Sequence, residues 1–89
     1  VKAFNTLFAQ VLADGPRFAD NQQGSVFVAA DSERAKQTAF SLAQSMGWNV
    51  VDAGGLKNAR YLEPLAGLNI YLGYGAGQGT SIAPVWLSK

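Results

Sequence analysis

Hydrophobic and polar positions follow one another along the chain in an order that predicts alternating strands and helices. Val1 to Phe4 is a short strand-like run at the start. Asn5 or Thr6 can cap a helix after it, because both side chains can accept a hydrogen bond from the first helical turn. Gly15 followed by Pro16 would end that helix. The first unit is therefore predicted to be a strand followed by a helix.

The second unit begins with a continuous apolar run, Val26 to Ala30. An unbroken run of this kind is typical of a strand that is covered on both faces. Asp31 or Ser32 can cap the helix that follows it, and Gly47 occupies the position that commonly comes just after a helix end. This unit is again predicted to be a strand followed by a helix.

The third unit is a strand around Val50 and Val51 that closes at Asp52, with a helical pattern from Leu56 onward. Pro64 predicts a kink or a break in that helix, because proline has no amide hydrogen and crowds the preceding turn. Beyond it, the apolar residues cover nearly the whole helix circumference: Leu65, Leu68, Ile70, Tyr71 and Leu72. Such a helix is normally buried, and we expect its partner surface to lie outside this chain.

Three strand–helix units predict an α/β fold. We expect one domain over residues 1–89, with about three mainly parallel strands, right-handed crossovers and helices packed on the sheet. This arrangement is half of a doubly wound domain. A chain of this length is near the lower end of the size range for a stable single domain.

The composition favours a protein partner over a nucleic acid or a membrane. The chain is 48% hydrophobic and only 15% charged, whereas about 25% charged is usual for a soluble domain. The net charge of +1 and the scattered Lys and Arg residues exclude a basic nucleic-acid footprint. No apolar run reaches the roughly 20 residues needed to span a bilayer. The excess of apolar residues indicates an oligomer or a docking surface.

The chain contains neither cysteine nor histidine. A thiolate nucleophile, an imidazole base and a Cys/His metal site are therefore excluded. Any catalysis would have to depend on carboxylates, amides, hydroxyls or a bound cofactor. The absence of cysteine is typical of a cytosolic protein, and we expect a cytoplasmic location.

The glycine-rich stretch "GYGAGQGTS", residues 73–81, resembles a phosphate-binding loop but does not have its spacing. A dinucleotide fingerprint needs G-x-G-x-x-G after a strand, and the third glycine position falls on Gln78 or Thr80. A P-loop needs a Gly-Lys-Ser/Thr sequence, which this stretch lacks. A flexible turn after a helix is the better interpretation. A phosphate-binding domain stays the third alternative, with an anion near Gly75 to Thr80.

Polar residues follow each predicted strand, where ligands bind in open α/β sheets. Asn5 and Thr6 either cap a helix or line a ligand pocket, and the spacing favours a cap. Asp31 is more typical of a cap than of a catalytic acid, whereas Asp52 is open to either a structural or a ligand-binding role. No second carboxylate stands at a fixed spacing from Asp52, so paired acid–base catalysis is not indicated.

Three charged residues lie near the start of the last predicted helix. Lys57 and Arg60 are three residues apart and could hold an anionic group, although solvated charges are the commoner case. Arg60 and Glu63 could instead pair along the helix, which is worth only a few tenths of a kcal/mol.

The segments "VKAFNT" and "VDAGGLKNARYLEPLA" resemble a known family. They are similar to the C-terminal part of the deazaflavin (coenzyme F420)-dependent NADP oxidoreductases and to the related NADP-binding domains of metalloreductases. The resemblance covers nearly the whole chain, including a glycine-rich turn after the last apolar helix. The sequence "SIAPVW" departs from the family pattern, because Pro84 replaces an aromatic residue.

The resemblance implies a Rossmann-type reductase that moves hydride between NADP(H) and coenzyme F420 or a flavin-like acceptor. In the family, the residues that match Phe4, Asn5 and Thr6 lie next to the nicotinamide and acceptor rings, and the glycine-rich turn borders the acceptor pocket. We expect the turns at the strand ends and this glycine-rich turn to open onto one shared space. The candidate cofactor-binding residues are Phe4, Asn5, Thr6, Asp52, Gly75 and Gly77.

The family's dinucleotide fingerprint precedes the segment that matches "VKAFNT" and is not in this sequence. We therefore expect the chain to be the C-terminal part of a longer enzyme whose missing N-terminal half binds most of the NADP. The 89 residues alone should neither bind NADP tightly nor act as a reductase. The main alternative is a non-catalytic half-Rossmann module for interaction or dimerisation. We also expect a homo-oligomer, or docking to the missing half.

Overall fold

The computed structural model describes residues 1–87 and contains a two-stranded parallel sheet with helices on both of its faces. The strands are β1, Ser25–Val28, and β2, Asn49–Asp52. The helices are α1, Ala9–Asp14, α2, Glu33–Ser45, and α3, Ala59–Ile70. The shorter helical turns are the 3₁₀ turns Ala19–Asn21 and Leu56–Asn58 and the π-helical turn Tyr71–Gly75, which continues α3.

β1 is bonded on both of its edges. On one edge it pairs with β2 in parallel register, with Ser25 beside Asn49. On the other edge, the Ser25 amide donates to the Pro84 carbonyl oxygen at 3.0 Å, and Ala29 exchanges two backbone hydrogen bonds with Lys2. All four residues of β1 are buried. The prediction of a strand covered on both faces is confirmed.

The predicted strand from Val1 to Phe4 is reduced to a single antiparallel bridge between Lys2 and Ala29. Phe4 has a φ of 62°, and this left-handed conformation turns the chain away before a second pair can form. The prediction of about three mainly parallel strands is therefore wrong, because two are found. The α/β class is confirmed, and the architecture is consistent with half of a doubly wound domain.

The ends of α2 follow the sequence prediction. The Ser32 hydroxyl oxygen accepts a hydrogen bond from the Ala35 amide at 3.2 Å, so Ser32 is the N-cap. Gly47, with a φ of 90°, follows the end of the helix. Asp31 does not cap α2, because its carboxylate accepts a hydrogen bond from the Leu56 amide instead.

The first helix begins later than predicted. α1 starts at Ala9, and its N-cap residue, Phe8, makes no side-chain capping bond. Asn5 and Thr6 lie upstream in a turn closed by a hydrogen bond from the Leu7 amide to the Phe4 carbonyl oxygen. The capping role predicted for Asn5 and Thr6 is therefore wrong, and their side chains are left for other contacts.

The core lies on the two faces of β1. Val26 and Val28 point to one face and pack with α1, α2 and Trp48. Phe27 and Ala29 point to the other face and pack against Leu62 of α3. These alternating contacts explain why the run is continuously apolar. They also fix α3 against the sheet.

α3 continues through Pro64 without the predicted break, because Leu62 and Asn69 on either side of it are buried and hold the helix in place. The face of α3 that points away from the sheet is exposed. The predicted Arg60–Glu63 pair is wrong, since Arg60 lies over the Tyr61 ring at 4.9 Å and Glu63 forms an ion pair with Lys2 of the N-terminal segment. Within residues 1–87, none of the helices combines the length and the hydropathy of a membrane span.

Candidate functional site

The turn formed by Phe4, Asn5 and Thr6 combines a left-handed backbone with buried polar atoms that lack partners. The φ of 62° at Phe4 costs a bulky residue about 1–3 kcal/mol, which its surroundings must offset. Asn5 Oδ1 and Thr6 Oγ1 are buried, and neither has a hydrogen-bond partner among the described residues. Because buried polar groups are nearly always paired, these features mark the turn as a candidate binding point.

Two side-chain hydrogen bonds hold this turn against α3. Asn5 Nδ2 donates to the Leu62 carbonyl oxygen at 3.1 Å, from 57 positions away in the chain. Asn69 Nδ2 donates to the Thr6 carbonyl oxygen at 2.8 Å, from 63 positions away. Leu62 and Asn69 are both buried. The turn is therefore positioned by the last helix of the chain.

Asn69 also lines a cavity of about 220 Å³ between α3 and the segment that follows the glycine-rich turn. The other lining residues are mostly apolar: Leu65, Leu68, Leu72, Gln78, Ile82, Ala83 and Pro84. Pockets for drug-sized ligands usually measure about 300–1,000 Å³. This volume suits a single ring system and is too small for a dinucleotide.

The glycine-rich turn has glycine where a side chain would clash with its neighbours or where the backbone is left-handed. A Cβ added to Gly73 would lie 2.6 Å from Phe8 Cζ, and one added to Gly75 would lie 2.8 Å from the Tyr71 ring. Gly77 has a φ of 77° and open space around it. Gly73 and Gly75 thus accommodate side chains of this chain, and Gly77 supplies a conformation that other residues rarely adopt.

Two carboxylates hold the turn that follows β2. Asp52 Oδ1 accepts a hydrogen bond from the Gly54 amide at 2.8 Å and lies 3.2 Å from Lys36 Nζ. The Gly54 amide first, and the Lys36 ammonium second, lower the pKa of Asp52 from its ordinary value of 3.8. Asp31 Oδ1 accepts a hydrogen bond from the Leu56 amide at 2.8 Å. Both carboxylates therefore have structural partners.

The candidate cofactor-binding residues lie outside α3 and near different parts of it. Asp52 precedes the helix, whereas Gly75 and Gly77 follow it, and the 12 residues of α3 span about 18 Å. Asn5 and Thr6 contact α3 between these two ends. The expectation that all of these residues border one shared space stays a prediction. A cofactor-binding role for each of them stays a prediction.

A second, wider cavity of about 580 Å³ lies between the N-terminal segment and α2. Phe4 forms part of one wall, Ala35, Ala39 and Leu42 form part of the other, and Arg34 contributes a positive charge. Phe4 therefore belongs both to the wall of this wider cavity and to the strained turn.

Comparison with known proteins finds a similarity to a metalloreductase. The chain is 38% identical over 65 residues to metalloreductase STEAP3 of Rattus norvegicus. This chain therefore resembles part of a metalloreductase. The match covers 73% of this chain and 13% of STEAP3, so the chain corresponds to a small part of that relative. No protein-family model matches the chain, and no solved structure matches it.

The similarity to STEAP3 extends over most of the chain, but the sequence alone did not single out the residue that connects the turn to the cavity. Asn69 bonds to the Thr6 carbonyl oxygen and lines the cavity. The available signal was a lone amide side chain in an otherwise apolar helical stretch. A buried polar residue in such a position needs a partner, and that requirement could have marked Asn69.

Proposed function

We propose that this chain forms the acceptor-side part of an NADP-dependent oxidoreductase that transfers hydride between NADP(H) and a deazaflavin or flavin-like acceptor. The observation that carries the proposal is the similarity to metalloreductase STEAP3 over 65 residues. The strained turn of Phe4, Asn5 and Thr6 supplies a location, because backbone strain and unpaired buried atoms cluster at binding sites.

Asn5 and Thr6 fit the polar edge of a nicotinamide or flavin-type ring. Both kinds of ring carry carbonyl oxygens and amide N–H groups. Asn5 Oδ1 can accept a hydrogen bond from such an N–H, and the Thr6 hydroxyl can donate one to such a carbonyl. Both atoms are buried and lack a partner among the described residues, and neither residue lines the 220 Å³ cavity, so a ring reaches them only when the turn opens. The adjacent residues Asn5 and Thr6 thus offer one hydrogen-bond acceptor and one hydrogen-bond donor.

The cavity beside Asn69 supplies apolar walls for the flat part of an acceptor. Leu65 and Leu72 of the helical segment form one side, and Ala83 and Pro84 form another. Its volume of about 220 Å³ leaves no room for a dinucleotide. We assign most of the NADP binding to residues outside this chain, because the chain has no G-x-G-x-x-G sequence.

The bound cofactors supply the hydride chemistry, and the protein aligns them and excludes water. In this chain, Asn5 and Thr6 orient the ring edge, and the apolar cavity walls exclude solvent. None of these residues has to gain or lose a proton. The absence of histidine and cysteine is therefore compatible with the proposed reaction.

Titration of flavin mononucleotide and of NADPH into the 89-residue chain, followed by isothermal calorimetry, tests the proposal. We expect flavin mononucleotide to bind with a Kd of about 0.1–1 mM and NADPH to bind no more tightly. Loss of the Thr6 hydroxyl in Thr6→Val should weaken flavin binding about tenfold, the equivalent of one hydrogen bond.

Thr38→Val is the matched control, since the Thr38 hydroxyl donates to the Arg34 carbonyl oxygen and Thr38 lines the wider cavity rather than the cavity beside Asn69. This variant should leave flavin binding unchanged. Equal flavin affinity in Thr6→Val and the unmodified chain would contradict the placement of the ring. Micromolar binding of NADPH would show that the chain holds the dinucleotide by itself.

A second candidate function, a non-catalytic half-Rossmann interaction module, is favoured by one observation. The outer side of α3 and its π-helical extension exposes several large apolar residues: Tyr61, Leu68, Ile70, Tyr71 and Tyr74. This alternative predicts no binding of flavin mononucleotide at any accessible concentration. The titration therefore separates the two candidates.

A further inference from the structure

A third cavity, of about 420 Å³, adjoins the cavity beside Asn69. The two cavities share Gln78, Ile82 and Ala83 in their walls, so both lie against the segment that follows the glycine-rich turn. The cavity beside Asn69, at about 220 Å³, is smaller than ligand pockets usually are, about 300–1,000 Å³. The third cavity can therefore take the part of a larger ligand that the first cannot hold.

The third cavity presents more hydrogen-bonding side chains than the first. Among the residues in its wall are three amides and a hydroxyl: Gln22, Gln23, Gln78 and Ser81. All four residues are exposed, so their polar groups can exchange water for a ligand. An amide group both donates and accepts hydrogen bonds, and so does a hydroxyl. This set matches the hydroxyl groups of a polyhydroxylated chain.

The wall of the third cavity also indicates that the bound group is neutral. No described residue in that wall carries a charge, so a phosphate or carboxylate there would find no cation among them. Phe18 and Ala19 add apolar surface beside the amides, which suits the carbon backbone of the same chain. The third cavity is therefore suited to a neutral group that carries several hydroxyls.

Backbone hydrogen bonds hold the segment between the two cavities at both of its ends. The Gln78 amide donates to the Leu72 carbonyl oxygen at 3.0 Å, next to the end of α3. The Ser25 amide, in the buried strand β1, donates to the Pro84 carbonyl oxygen at 3.0 Å. Because the segment is already anchored, a ligand that binds on both sides of it has less chain to order.

We propose that the third cavity binds the ribityl chain of the acceptor whose ring occupies the cavity beside Asn69. This inference rests on the proposed function and deepens it, since it assigns a second part of the acceptor to a second site. The chain leaves the ring past Gln78, which lies in the wall of both cavities. The Gln22 amide and the Ser81 hydroxyl then bind the ribityl hydroxyls, and a terminal phosphate extends toward solvent.

A matched pair of ligands tests the inference: flavin mononucleotide and its trideoxy analogue, which has the same ring, chain length and phosphate but no ribityl hydroxyls. Both are titrated into the 89-residue chain, and the dissociation constants are measured from NMR shifts up to about 10 mM ligand. We expect flavin mononucleotide to bind about tenfold more tightly than the analogue, because the analogue loses the hydrogen bonds of the chain.

Gln22→Leu and Ser81→Ala should each weaken the binding of flavin mononucleotide about fivefold and leave the binding of the analogue unchanged. Both residues are exposed, so the variants should fold. Gln37→Leu is the matched control, since Gln37 bonds to the exposed Glu33 carboxylate and lines neither cavity. It should bind both ligands like the unmodified chain.

Equal affinity for flavin mononucleotide and the analogue would overturn the inference and leave the proposed function standing. A Gln22→Leu variant that loses the same affinity for both ligands would also overturn it, because the lost contact would not involve the ribityl hydroxyls. Binding of neither ligand would refute the proposed function and this inference together.

Discussion

Asn69 donates a buried hydrogen bond from Nδ2 to the carbonyl oxygen of Thr6 at 2.8 Å. This bond joins the first turn of the chain to its last helix. Together with the bond from Asn5 Nδ2 to the Leu62 carbonyl oxygen, it makes α3 the element that positions the strained turn. Asn69 also lines the 220 Å³ cavity, so one residue contacts both the turn and the cavity.

Replacing Asn69 with leucine, which has a similar volume, should destabilise the fold by about 1–3 kcal/mol, because the Thr6 carbonyl oxygen would be left buried without its partner. Urea unfolding of the two proteins measures the difference. Gln37→Leu is the control, since Gln37 bonds only to the exposed Glu33 carboxylate. A loss below about 0.5 kcal/mol in Asn69→Leu would show that the bond does not anchor the turn.

Thr6→Val should stabilise the chain by about 1 kcal/mol, because it removes a buried hydroxyl that has no partner. The same change should weaken flavin binding, and such opposite effects are typical of functional sites. Thermal and urea unfolding measure the stability. A destabilisation of similar size would indicate instead that the Thr6 hydroxyl is already satisfied.

The two glycines Gly67 and Gly73 should respond to alanine in opposite directions. At Gly67 the added Cβ meets open space, so alanine should stabilise the helix by about 1 kcal/mol. At Gly73 it would lie 2.6 Å from Phe8 Cζ and 3.0 Å from the Gly79 carbonyl oxygen, and this overpacking should cost about 1–3 kcal/mol. Unfolding measured at low protein concentration compares the monomers, and equal shifts would contradict this packing.

Asp52 should contribute to stability at neutral pH and lose that contribution in acid. Its pKa is lowered below 3.8 in the folded chain, so the folded state binds the proton less readily than the unfolded state. The contribution is therefore complete above pH 3.8 and disappears as the pH falls through the folded value. Because the carboxylate is about half exposed, solvent screening keeps the effect small.

Asp52→Asn tests this pH dependence, because the amide keeps an oxygen for the Gly54 amide but removes the charge. The difference in unfolding free energy between the two proteins should be present near neutral pH and should vanish well below pH 3.8. A difference that stays constant through the acid range would mean that the charge of Asp52 does not stabilise the fold.

Much of the central fold could be predicted from the sequence because it depends on local patterns. The apolar run at 26–30, the cap at Ser32 and the helix stop at Gly47 each depend on neighbours within a few residues, and β1 and α2 appear where those patterns place them. The strand around Val50 and Val51 was predicted for the same reason.

The N-terminal turn could not be predicted, because its conformation depends on distant contacts. Phe4 adopts a left-handed backbone that its own identity disfavours. Asn5 and Thr6 are held by α3 through hydrogen bonds that span 57 and 63 positions of sequence. Sequence patterning therefore identified Asn5 and Thr6 as candidates but assigned them a capping role that they do not have.

Perturbation of backbone amide signals in heteronuclear NMR, as flavin mononucleotide is added to the 89-residue chain, tests the central claim most directly. We predict saturable shifts at Asn5, Thr6, Asn69 and Gln78, which are reduced in Thr6→Val and retained in Thr38→Val. No saturable shifts at these positions, or shifts confined to the turn at Asp52 and Gly54, would contradict the assignment of the N-terminal turn as the ring-binding site.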